Sequence, residues 1–492
     1  MILNKSQNML LLRPFLRLHT QDIVPMDFSE PLALEYLASV IRERHEVSIY
    51  DCIAEGYKKI TLNKDWIDFG ADVKSIKKVI EEKMPDAVGI TVLCNSQAQV
   101  TFEVTKAIKA VDNNILTILG GAYASSYQEK ALEYDQNLDI IVYGEGEITF
   151  KQLCDNGFKN LKEVNGIIYK KNNKIIKNPP RERIKNLDTI PFPSRDLVPF
   201  KIYSRVFGPR KKFIHKVIDK LIKISSIEKW YLKIRSRPKA WILTSRGCPN
   251  KCTFCSIYNV WGHKYKMRSA KNVLDELEWL VNQYDVRHVA FVDDNFTVSK
   301  KRAIDICKGI RERKLDLSIE VPSGVYIPPI DKELLIELKN TGLSQLTLPI
   351  ESGNQKVLDN VITKKIKLSQ VKNVIKLCKE VGIHTQGFFI LGLPGETKET
   401  MHDTIRFAST SGLDLARFYI YMPIHGSKLY DYALEKGYIS DNFSLDKLRI
   451  DTDFPSIRTE EFSQEDVLEI KEMGEKLMKL FSYKVIRAGN II

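Results

Sequence analysis

Cys248-Pro249-Asn250-Lys251-Cys252-Thr253-Phe254-Cys255 follows an apolar run, Ala240 to Leu243, and an Arg-Gly step. The run reads as a strand and the cysteines as a short loop at its end. With three and then two residues between them, the cysteines can bring three thiolates together. The loop has no fourth sulfur to offer, and Cys52, Cys94, Cys154, Cys307 and Cys378 are scattered singly. A structural zinc site takes four ligands, usually as two separated pairs. Thiolates also suit soft metals and iron–sulfur clusters. Three ligands on a four-iron cubane leave one iron open for chemistry.

At 492 residues the chain has room for two or three domains with sizeable cores. Its hydrophobic fraction of 43% and charged fraction of 28% are those of a soluble globular protein. It contains no run of about 18 apolar residues, so no spanning helix is expected. Met1 to Arg17 reads as a first strand rather than a signal peptide. Eight cysteines, three of them clustered, point to a reducing compartment and hence a cytoplasmic location.

The net charge of +13 is concentrated: residues 201–239 hold 13 Lys/Arg against Asp219 and Glu228, a net +11. The remainder is close to neutral, so general nucleic-acid binding is not expected. Within this region Phe213, Ile214, Val217, Ile218, Leu221 and Ile224 recur at helical spacing, opposite Lys212, Lys216, Lys220 and Lys223. Trp230, Tyr231 and Leu232 follow among further basic residues. Two readings are open for 210–235: a helix lying in a membrane headgroup layer, or one docking its apolar face on the rest of the protein. The first would place the protein peripherally on the inner face of the membrane.

Before this segment, short apolar strands alternate with amphipathic helices. Strands are expected at Met9–Phe15, Val47–Cys52, Ala87–Cys94, Leu116–Gly121 and Ile140–Tyr143, with helices at Leu32–Arg42, Val73–Lys83, Val100–Ala110 and Tyr127–Leu132. That alternation implies a doubly wound, Rossmann-like parallel sheet covered on both faces. Ligands bind such sheets at the carboxyl ends of the strands. There lie Asn95 and Ser96, Gly120 and Gly121, and Gly144-Glu145-Gly146. A hairpin over Asn165–Asn178 and a proline-punctuated linker, Asn186–Pro193, come next.

From Ala240 the alternation resumes, with strands at Trp241–Thr244, His288–Val292, Ser318–Val321, Gln345–Ile350, Gly387–Leu391 and Phe418–Met422. The polar motifs fall after these strands: Asp293-Asp294-Asn295-Phe296, Glu351-Ser352-Gly353, Gly392-Leu393-Pro394-Gly395-Glu396 and His425-Gly426-Ser427. Plain capping roles stand beside functional ones for Asp293, Asp294, Glu351, Ser352 and Glu396, and His425 reads as structural or substrate-facing. Beyond Gly437 the pattern is helical, with Leu468, Ile470, Met473, Leu477 and Leu480 apolar.

The cysteine spacing, with an aromatic residue before the last cysteine, resembles the radical S-adenosylmethionine (SAM) superfamily. Pro31–Ala38, Val47–Asp51, Gly120-Gly121-Ala122 and Gly144-Glu145-Gly146-Glu147 are similar to the cobalamin-binding domain that precedes the radical domain in its B12-dependent class. The resemblance implies a cobalamin domain over 1–160, a hairpin, linker and basic segment over 161–239, an open (β/α)6 partial TIM barrel over 240–437, and a helical extension over 438–492. It implies a [4Fe–4S] cluster on Cys248, Cys252 and Cys255. SAM would lie against Phe254, Asp293 or Asp294, Glu351, Ser352, Gly392, Pro394 and Gly395. Cobalamin would lie against Asn95, Ser96, Gly120, Gly121, Gly144, Glu145 and Gly146. No histidine lies between His45 and His215, so cobalt would receive none from this sheet.

The implied reaction cleaves SAM reductively to a 5′-deoxyadenosyl radical and methylates an unactivated carbon through methylcobalamin. The expected partners are a small-molecule or lipid-like substrate and a low-potential electron donor such as a flavodoxin or ferredoxin. Oxidation, cyclisation or rearrangement without methyl transfer is the alternative within the class. A non-enzymatic iron–sulfur or corrinoid sensor is the alternative outside it. A methylthiotransferase would need a second cysteine triad, and Cys52, Cys94 and Cys154 stand too far apart in the chain.

Overall fold

A computed structural model describes residues 5–19, 29–64, 66–93, 97–205, 238–439 and 455–488. Cys94, Asn95, Ser96 and the basic segment 210–235 lie outside the described residues. The chain divides into two units: residues up to 205 with Ile257–Gly262, and the remaining described residues.

The first unit is built on a seven-stranded sheet. Its strands are β1 (Asn8–Arg13), β3 (Glu46–Asp51), β6 (Ala87–Thr91), β7 (Leu116–Gly120), β8 (Ile140–Val142), β9 (Ile167–Lys171) and β10 (Lys174–Lys177). They lie in the order β10-β9-β8-β7-β6-β1-β3. The first five in chain order are parallel and take the 2-1-3-4-5 arrangement of doubly wound sheets. Met9, Leu10, Leu11 and Leu12 are all fully buried, because β1 is central and covered on both faces.

On one face the helices Val73–Lys83 and Ala98–Val111 pack together, and Ile76, Ile80, Val100, Val104 and Ile108 meet Leu10 and Leu12 in one core. Asp72 caps the first of these by accepting the Ser75 N–H at 2.9 Å. On the other face Leu32–Ile41 packs with Glu147–Asp155. There Gly89 leaves the sheet flat; a Cβ would stand 2.9 Å from Leu11 and 3.3 Å from Phe150.

The expected hairpin is present as β9 and β10, which extend the same sheet by antiparallel pairing. Two features depart from expectation. A small antiparallel sheet of β2 (Leu16–His19), β4 (Ile60–Leu62) and β5 (Trp66–Phe69) was not anticipated, because all three are short and two lie in a lysine-rich stretch without clean alternation. The helix expected over Tyr127–Leu132 is instead two, Ala122–Tyr127 and Glu129–Tyr134, broken where Gln128 takes a left-handed φ of +50°.

The second unit carries six parallel strands in two three-stranded sheets, both mixed with helices. The first sheet is β11 (Lys239–Ile242), β14 (His288–Phe291) and β15 (Ser318–Glu320). The second is β16 (Gln345–Glu351), β17 (His384–Leu391) and β18 (Leu415–Ile420). A two-residue ladder joins β12 (Ser245–Arg246) to β13 (Lys266–Met267) beside the cysteine loop. The C-terminal helix, Gln464–Ala488, packs on β18 and on helix Lys398–Thr410. Gly474 permits that approach, since a Cβ there would stand 2.5 Å from Ile405 and 3.0 Å from Phe418.

Candidate active site

In the second unit the segments that leave the strands meet around the cysteine loop. Cys248, Cys252 and Cys255 are half-buried and form no disulfide. Protein bonds rather than sulfur chemistry hold the loop. Thr253 donates its N–H to Ile362 O at 3.0 Å and its hydroxyl to Val361 O at 2.6 Å. Thr363 Oγ1 donates to Lys251 O at 2.9 Å, and the Leu429 N–H donates to Thr253 O at 2.9 Å. Burial pushes the Cys252 thiol up to about 12, with Lys364 pulling the other way and the neighbouring cysteines adding to the rise. Burial also raises Cys248. Both shifts belong to thiols without metal; thiolate ligation reverses them.

Among the described residues no three His, Cys, Asp or Glu converge on a single metal ion.

The two aspartates after β14 have different neighbours. Asp293 is fully buried and accepts from the Thr244 N–H at 2.5 Å, from Thr244 Oγ1 and from Ser245 Oγ at 2.7 Å, with Arg302 at 3.6 Å. It ties the end of β14 to the end of β11. Asp294 is half-buried and accepts the Gly247 N–H at 3.0 Å. Burial pushes its pKa up to about 6, the Gly247 amide opposing and Asp293 adding to the rise. Asn295 donates from Nδ2 to Cys248 Sγ at 2.9 Å.

After β16, Glu351 adopts a left-handed φ of +71° at a register shift in the ladder. Its Oε1 accepts from Lys364 Nζ at 2.8 Å. Ser352 is fully buried, its hydroxyl 3.1 Å from Thr404 Oγ1 and accepting the Asn354 N–H at 3.1 Å. The hydroxyl is thus engaged in shaping the turn. After β17, Gly392 and Gly395 take φ values of +79° and +98°, and Pro394 between them is buried. A Cβ on Gly395 would meet Val361 at 3.2 Å, the residue whose carbonyl anchors Thr253, while one on Gly392 would meet Val467 at 3.1 Å. Phe254 is half-buried in the loop. The His425 ring stands 5.1 Å from that of Tyr430, in the first turn of the helix Lys428–Glu435, whose Leu429 amide holds Thr253.

Glu396 does not cap the following helix; Thr397 does, accepting the Thr400 N–H at 3.3 Å. Glu396 turns back instead, accepting the Leu393 N–H at 3.0 Å, and its Oε1 has no hydrogen-bond partner. Burial pushes its pKa up to about 8 against the pull of the Leu393 and Gly392 amides. The folded value exceeds the ordinary one of 4.5, so the neutral acid stabilises the fold fully below about 4.5, and this is lost as pH rises through about 8. Unfolding free energy of the metal-free chain is expected to fall across that window by up to about 1.4 kcal/mol per pH unit. Glu396→Gln, which keeps an acceptor for Leu393, should flatten the slope in urea titrations near both ends of the window. An equal slope in the variant would refute the assignment.

In the first unit, the glycines at the strand ends mostly answer the chain's own packing. Gly121 has φ +100°, and a Cβ there would stand 2.5 Å from Val92 O. Gly144, at φ +79°, lies under the Arg183 guanidinium, and Gly146 lies 3.3 Å from Leu37 by the same construction. Glu145 is buried and accepts the Ile184 N–H at 2.9 Å. Gly120 differs: among the described residues a Cβ would have only Val142 O nearby, at 3.9 Å.

Sequence reasoning singled out neither Lys364 nor Asn295 as a site residue. Lys364 gave little signal, because it stands among Lys365 and Lys367, and only the structure shows that it, unlike them, is buried between Ile362 and Ile366.

The Radical SAM superfamily model matches residues 242–408, and the B12 binding domain model matches residues 27–154. An uncharacterized methyltransferase of Pyrococcus horikoshii is 32% identical over 439 residues, covering 89% of this chain and 85% of that protein. The cytidylyl-2-hydroxyethylphosphonate methyltransferase of Streptomyces wedmorensis is 30% identical over 474 residues, covering 90% and 84%. Among solved structures, the radical SAM methyltransferase TsrM of Kitasatospora setae, with cobalamin and a [4Fe–4S] cluster bound, is similar with a TM-score of 0.65. It is 19% identical and the match covers 88% of this chain and 76% of that one, a likeness of fold.

Proposed function

Because the chain belongs to the cobalamin-binding class of the radical SAM superfamily, we propose that it methylates an unactivated carbon of a small-molecule or lipid-like substrate. It is an enzyme of that class, with a [4Fe–4S] cluster, SAM and cobalamin as its cofactors. The observation that carries methyl transfer is the similarity to two methyltransferases along about nine tenths of the chain. Bound to the protein, the cluster with SAM supplies a hydrogen-abstracting radical and cobalamin supplies the methyl carrier.

Cys248, Cys252 and Cys255 would hold three irons, leaving the fourth for the amino and carboxylate groups of SAM. Asp294 is our acceptor for the SAM ammonium, because it makes fewer protein bonds than Asp293, whose oxygens are occupied by Thr244 and Ser245. Glu351 offers a polar contact to SAM, with Ser352 shaping its turn. Phe254, Gly392, Pro394 and Gly395 would line the nucleoside, and His425 the substrate side. Cobalamin would lie at the carboxyl ends of the first unit's strands, where Gly120 ends β7. The two three-stranded sheets of the second unit we read as halves of an open six-stranded partial barrel, within domain limits of 1–160, 161–239, 240–437 and 438–492.

No described helix is long and apolar enough to cross a membrane. Peripheral contact through 210–235 rests on the charge pattern alone, and deleting Arg210–Arg235 without loss of liposome binding by the folded protein would dismiss it. A low-potential donor, such as a flavodoxin or ferredoxin, and a cytoplasmic site complete the reading.

The function is tested with SAM carrying a deuterated methyl group, a strong reductant, hydroxocobalamin and a metabolite extract. The expected product is heavier than its precursor by one labelled methyl group in exchange for one hydrogen. SAM cleavage with products of unchanged carbon count would refute methyl transfer and favour oxidation, cyclisation or rearrangement.

A further inference from the structure

We propose that Lys364 and Asn295 are positioning residues that raise the reduction potential of the cluster, an inference that rests on the cysteine loop holding one. Lys364 is 6% exposed, with its ammonium on Glu351 Oε1 at 2.8 Å and on Pro349 O. The two residues before it, Ile362 and Thr363, bond Thr253 and Lys251 on either side of Cys252 at 3.0 and 2.9 Å, which sets the lysine beside the loop, where its charge favours the thiolate forms of Cys252 and Cys248. Glu351 and the Pro349 carbonyl offset the cost of burying the ammonium and fix its place. Its partner Glu351 sits in a left-handed conformation that bulky side chains seldom adopt.

Asn295, 6% exposed, adds the second element, an amide N–H aimed at Cys248 Sγ at 2.9 Å. Hydrogen bonds to cluster sulfurs and nearby net charge are the protein's means of setting cluster potential. Reduction adds one electron and no proton, so the cluster gains one negative charge. A buried ammonium and an amide dipole directed at the sulfurs stabilise that charge and make reduction easier.

The test is a redox titration of the full-length, anaerobically reconstituted chain without SAM, followed by the electron paramagnetic resonance signal of the reduced cluster. Lys364→Gln is expected to lower the equilibrium constant for reduction about tenfold, which is about 59 mV for one electron. Asn295→Ala should shift it a few fold in the same direction, and Lys364→Arg should stay within about twofold of the wild type. Glu351→Gln removes the opposing charge and should shift the potential upward. Wild-type potentials in Lys364→Gln and Asn295→Ala with full iron content would overturn the proposal. If Lys364→Gln takes up no iron, Glu351→Gln decides, an unchanged potential there overturning it. Failure of the family reading would look different: the wild-type chain itself would give no four-iron signal.

Discussion

Cys252→Ala is expected to reduce the iron of the anaerobically reconstituted chain to background and to abolish reductive SAM cleavage, with the fold retained. The reason lies in how the loop is held. Thr253 and Thr363 carry backbone-anchoring hydrogen bonds of the loop, and the Cys252 thiol takes part in none of these. A cubane with two of its three protein ligands loses the third iron and with it the geometry that leaves one iron open. Cys248→Ala and Cys255→Ala should behave alike, whereas Cys307→Ala, buried in a helix away from the loop, should keep full iron. Circular dichroism checks the fold, and chemical iron assay with product analysis checks the loss. Retained SAM cleavage in Cys252→Ala would disprove cluster ligation by this residue.

Asp51→Ala is expected to destabilise the first unit by about 3–5 kcal/mol, the cost of breaking a buried ion pair from one side. Asp51 is buried at the end of β3, where Arg13 Nε donates to its Oδ1 at 2.8 Å and Arg13 Nη2 to its Oδ2. The Tyr203 hydroxyl also donates to Oδ2, and the Ile53 N–H to Oδ1 at 3.1 Å. Burial works against the Arg13 charge, but Asp51 outweighs it and holds that pKa above its ordinary value. Alanine would leave the guanidinium and the phenol buried without their acceptor. Nearby, Glu35 is fully buried with no hydrogen-bond partner for either oxygen among the described residues; burial, and then the charge of Glu30, raise its pKa well above the usual range against the pull of Arg195, 4.0 Å away. Burial thus disfavours a charge on Glu35, which makes no hydrogen bond to Arg13 or Tyr203 that could stand in for those of Asp51. Replacing both partners, Arg13→Met with Asp51→Leu, should recover much of the loss. Urea unfolding measures both variants; equal stability of Asp51→Ala and wild type would refute the argument.

What could be read in advance and what could not divide along physical lines. Four consecutive apolar residues in β1, the glycines after β7 and β8 and the three cysteines are local patterns, and the strands of the seven-stranded sheet and of the two three-stranded parallel sheets lie within a few residues of where those patterns place them. The small sheet of β2, β5 and β4 escapes the pattern because its strands are three or four residues long, and the charges of Lys58, Lys59 and Lys64 around β4 and β5, with Asp68 inside β5, mask any alternation. Gln128 breaks a helix through a backbone angle that its side chain does not announce. In the site, Asp293 and Asp294 are indistinguishable as letters. Their roles separate only through contacts with Thr244, Ser245 and Gly247, about 50 residues away in the chain. Lys364 likewise acquires its meaning from Glu351 and from cysteines more than 100 residues earlier. Long-range pairing of charges carries no periodicity, so a single sequence conceals it.

The most direct measurement is the cofactor content of the full-length chain after anaerobic reconstitution with iron, sulfide and hydroxocobalamin. Bound corrinoid is read from its visible spectrum beside iron and sulfide by chemical assay. The expected result is about one cobalamin and one four-iron cluster per chain, as the two domain matches require. A cluster without corrinoid would contradict the cobalamin-dependent methyltransferase and leave a SAM radical enzyme whose first domain serves another purpose.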